Sequence, residues 1–151
     1  MKPFSSALGA FIIVLFAFTA SAQEISDKSP LGFSIESVSI SKEALSSVFE
    51  LKTGGRVDLT LGENGSFSGI LMHNSSKKGN LNTVMIRSLA DDNSVMQITR
   101  QEQEVNHFRY VGRVLNKNKE EGYKITCDDE GHYFLTRFDA SKLIEDCNNT
   151  H

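Results

Sequence analysis

The stretch VDLTLGENGSFSGILMH, residues 57–73, decides the fold. Apolar side chains occupy every second position of its first part: Val57, Leu59 and Leu61. This is the period at which side chains of a β-strand point to one face of a sheet. Glu63-Asn64-Gly65 follows, and asparagine and glycine tolerate the positive φ that tight hairpin turns require. Because the alternation then resumes with Phe67 and Leu71, we predict a β-hairpin here.

Similar patterns extend to both sides of this hairpin. Upstream, we expect a strand within residues 32–40, with Phe33, Ile35, Val38 and Ile40 as candidates for burial, and a brief helix at 41–45 capped by Ser41. Phe49 and Leu51 then read as a strand that pairs through a Gly54-Gly55 turn. Downstream, strands are predicted at residues 83–89, 95–100, 105–115, 123–127 and 132–138, the third being the longest.

These strands are joined by short polar turns, which indicates an all-β domain. We predict an antiparallel meander of about seven to eight strands that forms a barrel or a sandwich. Asp139 offers an N-cap for a short C-terminal helix at residues 140–145. Gly69 and Gly112 lie inside strands and predict bends or close backbone approach. The segments around them look alike, either through duplication of a three-stranded meander or because strands of equal length resemble one another.

The N-terminal residues have the features of an export signal. Lys2 precedes an apolar run at residues 7–18, and Ala20-Ser21-Ala22 has the small-residue pattern that signal peptidase cleaves. As a helix this run rises only about 18 Å, too short to cross a hydrocarbon core of about 30 Å. We therefore expect a bacterial signal peptide at 1–22, a flexible leader at 23–31 and a single domain at 32–151. The protein is then periplasmic or extracellular, with no transmembrane segment.

The charge content limits the class of partner, and the cysteine content predicts a disulfide. The chain has 16 basic and 19 acidic residues, and residues 1–22 contain one of the basic ones, so the predicted mature chain carries 15 against 19. This balance argues against nucleic acid, whose phosphates require clustered lysine and arginine. Cys127 and Cys147 are the two cysteines, and in an exported protein we expect them to form a disulfide. A loop of about 20 residues closed in this way stabilises a fold by about 3 kcal/mol in the chain-entropy model.

The sequence offers no recognisable catalytic or metal-binding pattern. Residues 65–69 place Phe67 where a hydrolase nucleophile elbow has serine. The histidines are isolated, and Asp128-Asp129-Glu130 lacks the ligand spacing of a calcium loop. Carboxylates within predicted strands are the ones to inspect for acid-base chemistry: Glu36, Glu50 and Asp58. We predict no enzyme activity, no catalytic residue, no metal site and no cofactor.

Four segments resemble the β-rich prodomains of secreted bacterial metalloproteases of the reprolysin type: Phe67-Ser68-Gly69, Thr83-Val84-Met85-Ile86-Arg87, Tyr110-Val111-Gly112-Arg113-Val114 and Gly122-Tyr123-Lys124-Ile125. Together they cover about half of the predicted mature chain, in the order that these prodomains show. The sequence has no zinc-binding His-Glu-x-x-His motif and we expect no protease domain to follow, so no catalytic residue is carried over. The resemblance implies a stand-alone domain of that shape, a protease-binding or inhibitory module.

Two functions follow from these observations. In the first, a secreted, non-catalytic β-domain binds another protein, an exported protease or a cell-envelope component. Its contact surface is one face of the strand at 105–115, which meets an acidic partner or adds a strand: His107, Arg109, Val111 and Arg113. In the second, a small barrel encloses an apolar molecule or lipid. Its lining would be Phe67, Leu71, Phe108, Tyr110 and Tyr123, unless these side chains simply pack as a dry core.

Overall fold

Eight antiparallel strands form a single sheet that curls into a nearly closed barrel, which confirms the predicted all-β meander. The computed structural model describes residue 31 and residues 35–77, 80–105 and 107–143. Its elements in chain order are β1 (Ser37–Ile40), α1 (Lys42–Ser47), a 3-10 helix (Val48–Glu50), β2 (Arg56–Leu61), β3 (Gly65–Lys77), β4 (Leu81–Ser88), β5 (Ser94–Glu104), β6 (His107–Asn116), β7 (Glu121–Cys127) and β8 (Tyr133–Asp139).

Strand order around the barrel is β1-β8-β7-β6-β5-β4-β3-β2. Each of the strands β2 to β8 therefore pairs with its neighbour in sequence, while β1 pairs with β8 at the far end of the chain. The two ends of the sheet meet where the Gly62 N–H donates to the Ser39 carbonyl oxygen at 2.8 Å. This contact brings the β2 end beside β1 and accounts for the near closure.

Period-two alternation places the apolar side chains inside the barrel. The β2 residues alternate between exposed and buried, and the buried set is the predicted one: Val57, Leu59 and Leu61. Val38 and Ile40 are buried as expected, whereas Ile35 is exposed because it precedes the first residue of β1. Phe33 lies outside the described residues. In the β2-β3 turn the positive φ falls on Gly62, at 58°, and not on the Asn64-Gly65 pair.

A short helical segment connects β1 to β2 and packs against the barrel core. Ser41 caps α1 as predicted, because its Oγ accepts from the Ala44 N–H at 3.0 Å. The prediction of a strand at Phe49 and Leu51 is wrong. Buried residues there have the helical spacing i, i+3, i+4: Leu45, Val48 and Phe49. The Asn74 side-chain amide donates to the carbonyl oxygens of Phe49 and Leu51, both at 3.2 Å. β3 thus continues past His73, the last residue of the stretch that predicted the hairpin, as far as Lys77.

The predicted lengths of the later strands need one correction. β3, with 13 residues, is longer than β6, with 10, and Val105 lies in the turn before β6. The pairing of β5 with β6 shifts register between Glu102 and Glu104, which ends the regular alternation at this turn. The hairpin of β7 and β8 has the predicted strands.

Close backbone approach at the two strand glycines is confirmed. A Cβ on Gly69 would lie 2.5 Å from Ile86 Cγ2, and one on Gly112 would overlap the Gln97 carbonyl oxygen. Hydrogen is therefore the largest substituent that either position accepts without a shift of neighbouring strands.

The ends of the chain fall largely outside the described residues. The predicted signal peptide, all of the leader except Leu31, which is buried, and Cys147 lie there. Of the C-terminal helix, the first turn is described: Asp139 Oδ1 accepts from the Ser141 N–H at 3.0 Å, and the Leu143 N–H donates to the Ala140 carbonyl oxygen at 3.2 Å. Within the described residues no helix has the length and apolar character needed to cross a membrane.

Candidate functional site

The outward-facing side chains of β4 to β7 form one continuous surface. They are the odd-numbered residues of 81–87, 95–101 and 107–115 and the even-numbered residues of 122–126, and we call this set the outer face. None of them is aspartate or glutamate, and Glu104 of β5, which pairs with His107 beyond the register shift, is a carboxylate at the rim of this surface. Four carry a permanent positive charge: Arg87, Arg109, Arg113 and Lys124. A positive surface with a carboxylate only at its rim therefore exists on a chain whose net charge is −3.

Ion pairing separates these arginines from the other arginines of the protein, all of which lie among the described residues. Arg56 binds Asp58 at 2.8 Å, Arg100 lies 3.8 Å from Glu50, and Arg137 lies 3.5 Å from both Glu36 and Glu121. Within the described part of the chain, no ion pair is made by the remaining three: Arg87, Arg109 and Arg113. Each unpaired guanidinium thus lies on the outer face.

The strongest anomaly of the outer face is a pair of like charges. Arg113 lies directly opposite Lys124 in the antiparallel pairing of β6 with β7, and opposite the neutral Gln97 on β5. Like charges at directly opposite cross-strand positions destabilise a sheet. The fold therefore carries a local repulsion that no carboxylate of the outer face offsets.

Apolar side chains alternate with these charges. Met85, Leu81 and Val111 are 40%, 41% and 43% exposed on the same face. Val111 pairs with Thr99, and the Thr99 and Thr83 hydroxyls lie 3.0 Å apart across β4 and β5. The outer face thus combines desolvable apolar groups with unpaired cations, a composition suited to recognition of an acidic surface.

The predicted contact residues on β6 lie where the alternation put them. His107, Arg109, Val111 and Arg113 are all exposed on the outer face. His107 lies at its rim, where Nδ1 is 3.7 Å from the Glu104 carboxylate. The sequence reasoning missed Lys124, which β7 places opposite Arg113, and also Arg87 and Met85, which lie on β4 with β5 between them and β6. Their alternate positions within predicted strands were the available signal, but the pairing register was needed to join them.

The alternative set of ligand-lining residues belongs to the core. Phe67, Leu71, Tyr110 and Tyr123 are buried, and Phe108 packs against them half-buried. The Tyr110 ring lies 6.0 Å from the Phe49 ring and 5.6 Å from the Tyr133 ring, between centroids. These contacts favour a core filled by side chains, and binding of an apolar molecule stays a prediction without an observation in its favour.

Of the carboxylates considered for acid-base chemistry, Asp58 lies in β2 as predicted, whereas Glu36 precedes β1 and Glu50 lies in the 3-10 helix, so the prediction of a strand position is wrong for these two. Glu36, Glu50 and Asp58 are exposed, and each has its own arginine partner. The Arg56 guanidinium, hydrogen-bonded to Asp58, holds the pKa of that carboxyl below its usual range. For Asp58 this hydrogen bond stabilises the ionised form of the carboxyl.

One turn does gather possible metal ligands. Atoms of Asp128, Glu130 and His132 lie within 4.8 Å of one another, all on exposed side chains. Asp128 Oδ1 accepts from the backbone N–H groups of Glu130 at 3.0 Å and His132 at 2.8 Å. These bonds, the one from His132 first, lower the pKa of Asp128. The grouping is thus explained as the hydrogen-bonded turn between β7 and β8.

Cys127 is exposed at the end of β7. Its predicted disulfide partner, Cys147, lies outside the described residues, so the disulfide stays a prediction. Comparison of the chain with protein-family models, with curated proteins and with solved structures gave no match. The case for a function therefore depends on the geometry of the outer face.

Proposed function

We propose that this protein is an exported, non-catalytic β-barrel domain that binds an acidic surface of another protein through its outer face. An exported protease or a cell-envelope component is a suitable partner. The single observation that carries the proposal is the like-charged pair of Arg113 and Lys124 within a face whose carboxylate, Glu104, lies at the rim beside His107.

An acidic partner turns this repulsion into attraction. Carboxylates placed between Arg113 and Lys124 interact with both cations, and bidentate geometry is available at the guanidinium. Exposed apolar side chains beside the cations supply area that loses water on contact. The result is a contact whose energy comes from both charge and burial, the usual composition of a specific protein interface.

The distribution of charge also determines how a partner approaches. Arginines outside the outer face are already paired with carboxylates, so they attract an acidic protein less. The unpaired cations are concentrated on one side of the barrel, which orients an acidic partner during encounter and raises the association rate at low salt.

Charge reversal on β6 tests the proposal. The variant Arg109→Glu with Arg113→Glu reverses two outer-face charges, and Lys42→Glu with Lys52→Glu makes the same change in net charge at exposed positions elsewhere. In cross-linking pull-downs from the native exported fraction, we expect the wild-type protein and the lysine control to recover the same acidic protein. The arginine variant loses it, and about 1 M salt, where the Debye length is about 3 Å, releases it.

Three outcomes would contradict the proposal. The first is equal recovery of the partner by both double variants. The second is a recovered partner that is basic or that resists high salt. The third is binding of the purified protein to anionic lipid vesicles or heparin with no acidic protein recovered, because the outer face would then recognise a membrane or a polysaccharide.

A further inference from the structure

A β-bulge turns two consecutive side chains of β3 to the outside of the barrel. In the pairing of β3 with β4, Leu71 lies opposite Ile86, and the next matched pair is His73 with Met85, so Met72 is an extra residue on β3. Leu71 is buried, whereas Met72 and His73 are both exposed. A regular strand would expose one of two consecutive residues, because its side chains alternate between faces. The bulge therefore places a thioether and an imidazole side by side on one surface.

Met85 brings a second thioether to the same place. It lies directly opposite His73, at a Cα–Cα distance of about 4.5–5.5 Å in an antiparallel pair. Met72 precedes His73 in the chain, so their Cα atoms are about 3.8 Å apart. Met72 is 48% exposed and Met85 40%, while Met96, the third methionine among the described residues, is buried. Each exposed methionine of the described chain thus flanks His73.

His73 differs from the other histidines of the described residues, because its ring has no polar partner among them. His107 Nδ1 lies 3.7 Å from Glu104, and His132 Nδ1 lies 3.1 Å from Asp128. No hydrogen bond or ion pair joins the His73 ring to another described residue. In its neutral form this imidazole therefore offers the lone pair of one nitrogen to a metal ion.

The surroundings of these three side chains favour a soft, monovalent cation. Their outward-facing neighbours on the paired strands include no carboxylate: Ile70, Ser75, Thr83, Arg87 and Gln97. Calcium and magnesium require oxygen ligands, and zinc takes thiolate, imidazole or carboxylate, whereas thioether sulfur selects Cu(I) and imidazole also binds copper. The positive charge of Arg87 repels a divalent ion about twice as strongly as a monovalent one. The ligand set and the local charge thus both match Cu(I).

We propose that Met72, His73 and Met85 form a surface site for monovalent copper. The two thioether sulfur atoms and one ring nitrogen are its ligands. The site goes beyond the proposed protein-binding function, because it binds a metal ion and needs no partner protein. Met85 also belongs to the outer face, but Met72 and His73 do not. Sequence spacing predicted no metal site, since only the bulge and the register of β3 with β4 bring the three residues together.

Titration of a cysteine-free protein with Cu(I) tests the site by NMR. The variant Cys127→Ser with Cys147→Ser removes the thiols, which bind Cu(I) themselves. Isotope-labelled methionine methyl groups then report on each thioether. Under anaerobic conditions with ascorbate, we expect one equivalent of Cu(I) to shift the Met72 and Met85 methyl signals together with the His73 ring signals.

Two controls accompany the titration. The methyl signal of Met96, which is buried, should stay in place. Zn(II) at the same concentration should leave the Met72 and Met85 methyl signals unshifted, because thioether sulfur is not among its usual ligands. Should the cysteine-free protein fail to fold, the same signals are read in the wild type. Cys127 lies on β7, which β5 and β6 separate from β4, so copper bound there leaves these methyl groups unshifted.

Variants of the cysteine-free protein separate the three ligands from other exposed groups. Met72→Leu with Met85→Leu removes both sulfur atoms and keeps the side chains apolar, and His73→Gln removes the imidazole. Even the loss of a group that only orients a ligand weakens metal binding by about tenfold or more. We therefore expect Cu(I) affinity, measured in competition with a chromophoric chelator, to fall at least about tenfold in both. His107→Gln, at an exposed histidine on β6, is the matched control and binds Cu(I) like the parent.

Several outcomes would overturn the proposal. They are Cu(I) shifting neither the Met72 nor the Met85 methyl signal, Zn(II) shifting both as strongly, the double leucine variant binding Cu(I) like the parent, and His107→Gln weakening binding as much as His73→Gln. The charge-reversed outer face, Arg109→Glu with Arg113→Glu, keeps all three ligands. It should bind Cu(I) like the parent whether or not it recovers an acidic protein, so the two proposals fail independently.

Discussion

At the scale of single residues, we expect Arg113 to destabilise the fold and to strengthen the binding of an acidic partner. Because Arg113 lies opposite Lys124, Arg113→Glu replaces a like-charged cross-strand pair with an opposite-charged one. We expect the free energy of unfolding in urea at low salt to rise by about 0.2–1 kcal/mol. Arg109→Glu, opposite the neutral Gln101, is the control and should show a smaller change. A loss of stability in Arg113→Glu would contradict a destabilising repulsion between Arg113 and Lys124.

Asp91 is a second residue with a measurable signature, this time in acid. It accepts hydrogen bonds from the Asn93 backbone N–H at 2.9 Å, from the Asn116 side-chain amide and from the Ser94 hydroxyl at 3.3 Å. These bonds, that of Asn93 first, hold the pKa of Asp91 below its ordinary value of 3.8. Ser94 and Asn116 are buried, so the bonds also join the β4-β5 turn to β6.

A lowered folded-state pKa means that Asp91 stabilises the fold fully above pH 3.8 and that this contribution disappears as the pH falls through the folded pKa. We expect Asp91→Asn to be less stable than the wild type at neutral pH and to lose less stability on acidification. Urea unfolding as a function of pH measures both slopes. Parallel slopes for the two proteins would contradict this assignment.

At the residue scale, the alternation of apolar and polar residues predicted some features of the outer face and not others. Exposure of Arg109, Val111 and Arg113 followed from alternation within one strand and was predictable. The position of Lys124 opposite Arg113 was not predictable, because side chains from different strands meet only through the pairing register. No local sequence rule contains that register.

At the scale of elements, Gly112 controls how closely β5 and β6 approach. A Cβ at this position would overlap the Gln97 carbonyl oxygen of β5 and lie 2.9 Å from Ile125 Cδ1 of β7. Since backbone moves less readily than a flexible side chain, we expect Gly112→Ala to lower the free energy of unfolding by about 1–3 kcal/mol. Val111→Ala, next to it and outward-facing, should change it by no more than about 0.5 kcal/mol. Equal effects in thermal or urea unfolding would contradict the close approach.

Element boundaries were predictable where a local interaction determines them. Ser41 has a capping side chain, and it does begin a helix. Phe49 and Leu51 have strand-like spacing, but Leu45, Val48 and Phe49 pack together against the barrel as helical neighbours, and this packing overrides the local period. Asn74 continues β3 because its side chain binds carbonyl groups of that helical segment. No residue close to Asn74 in sequence predicts this contact.

At the scale of the whole molecule, the predicted disulfide links the end of β7 to the C-terminal region. Alkylation without reductant should leave the mass of the purified protein unchanged, and reduction should lower the free energy of unfolding by about 3 kcal/mol. The double variant Cys127→Ser with Cys147→Ser should not respond to reductant. Modification of two thiols in the untreated protein would show that the bond does not form.

The pairing of β1 with β8 has a consequence for the order of assembly. Strands β2 to β8 each pair with a strand that is adjacent in sequence, so these pairings close only short loops. β1 precedes all of them in sequence, yet Ser37 pairs with Thr136 and Ile40 with Tyr133. Loop closure over such a distance is entropically slow and raises the contact order of an otherwise local topology. We therefore expect the seam between β1 and β8 to close last on refolding, through the four residues of a strand that precedes all the others in sequence.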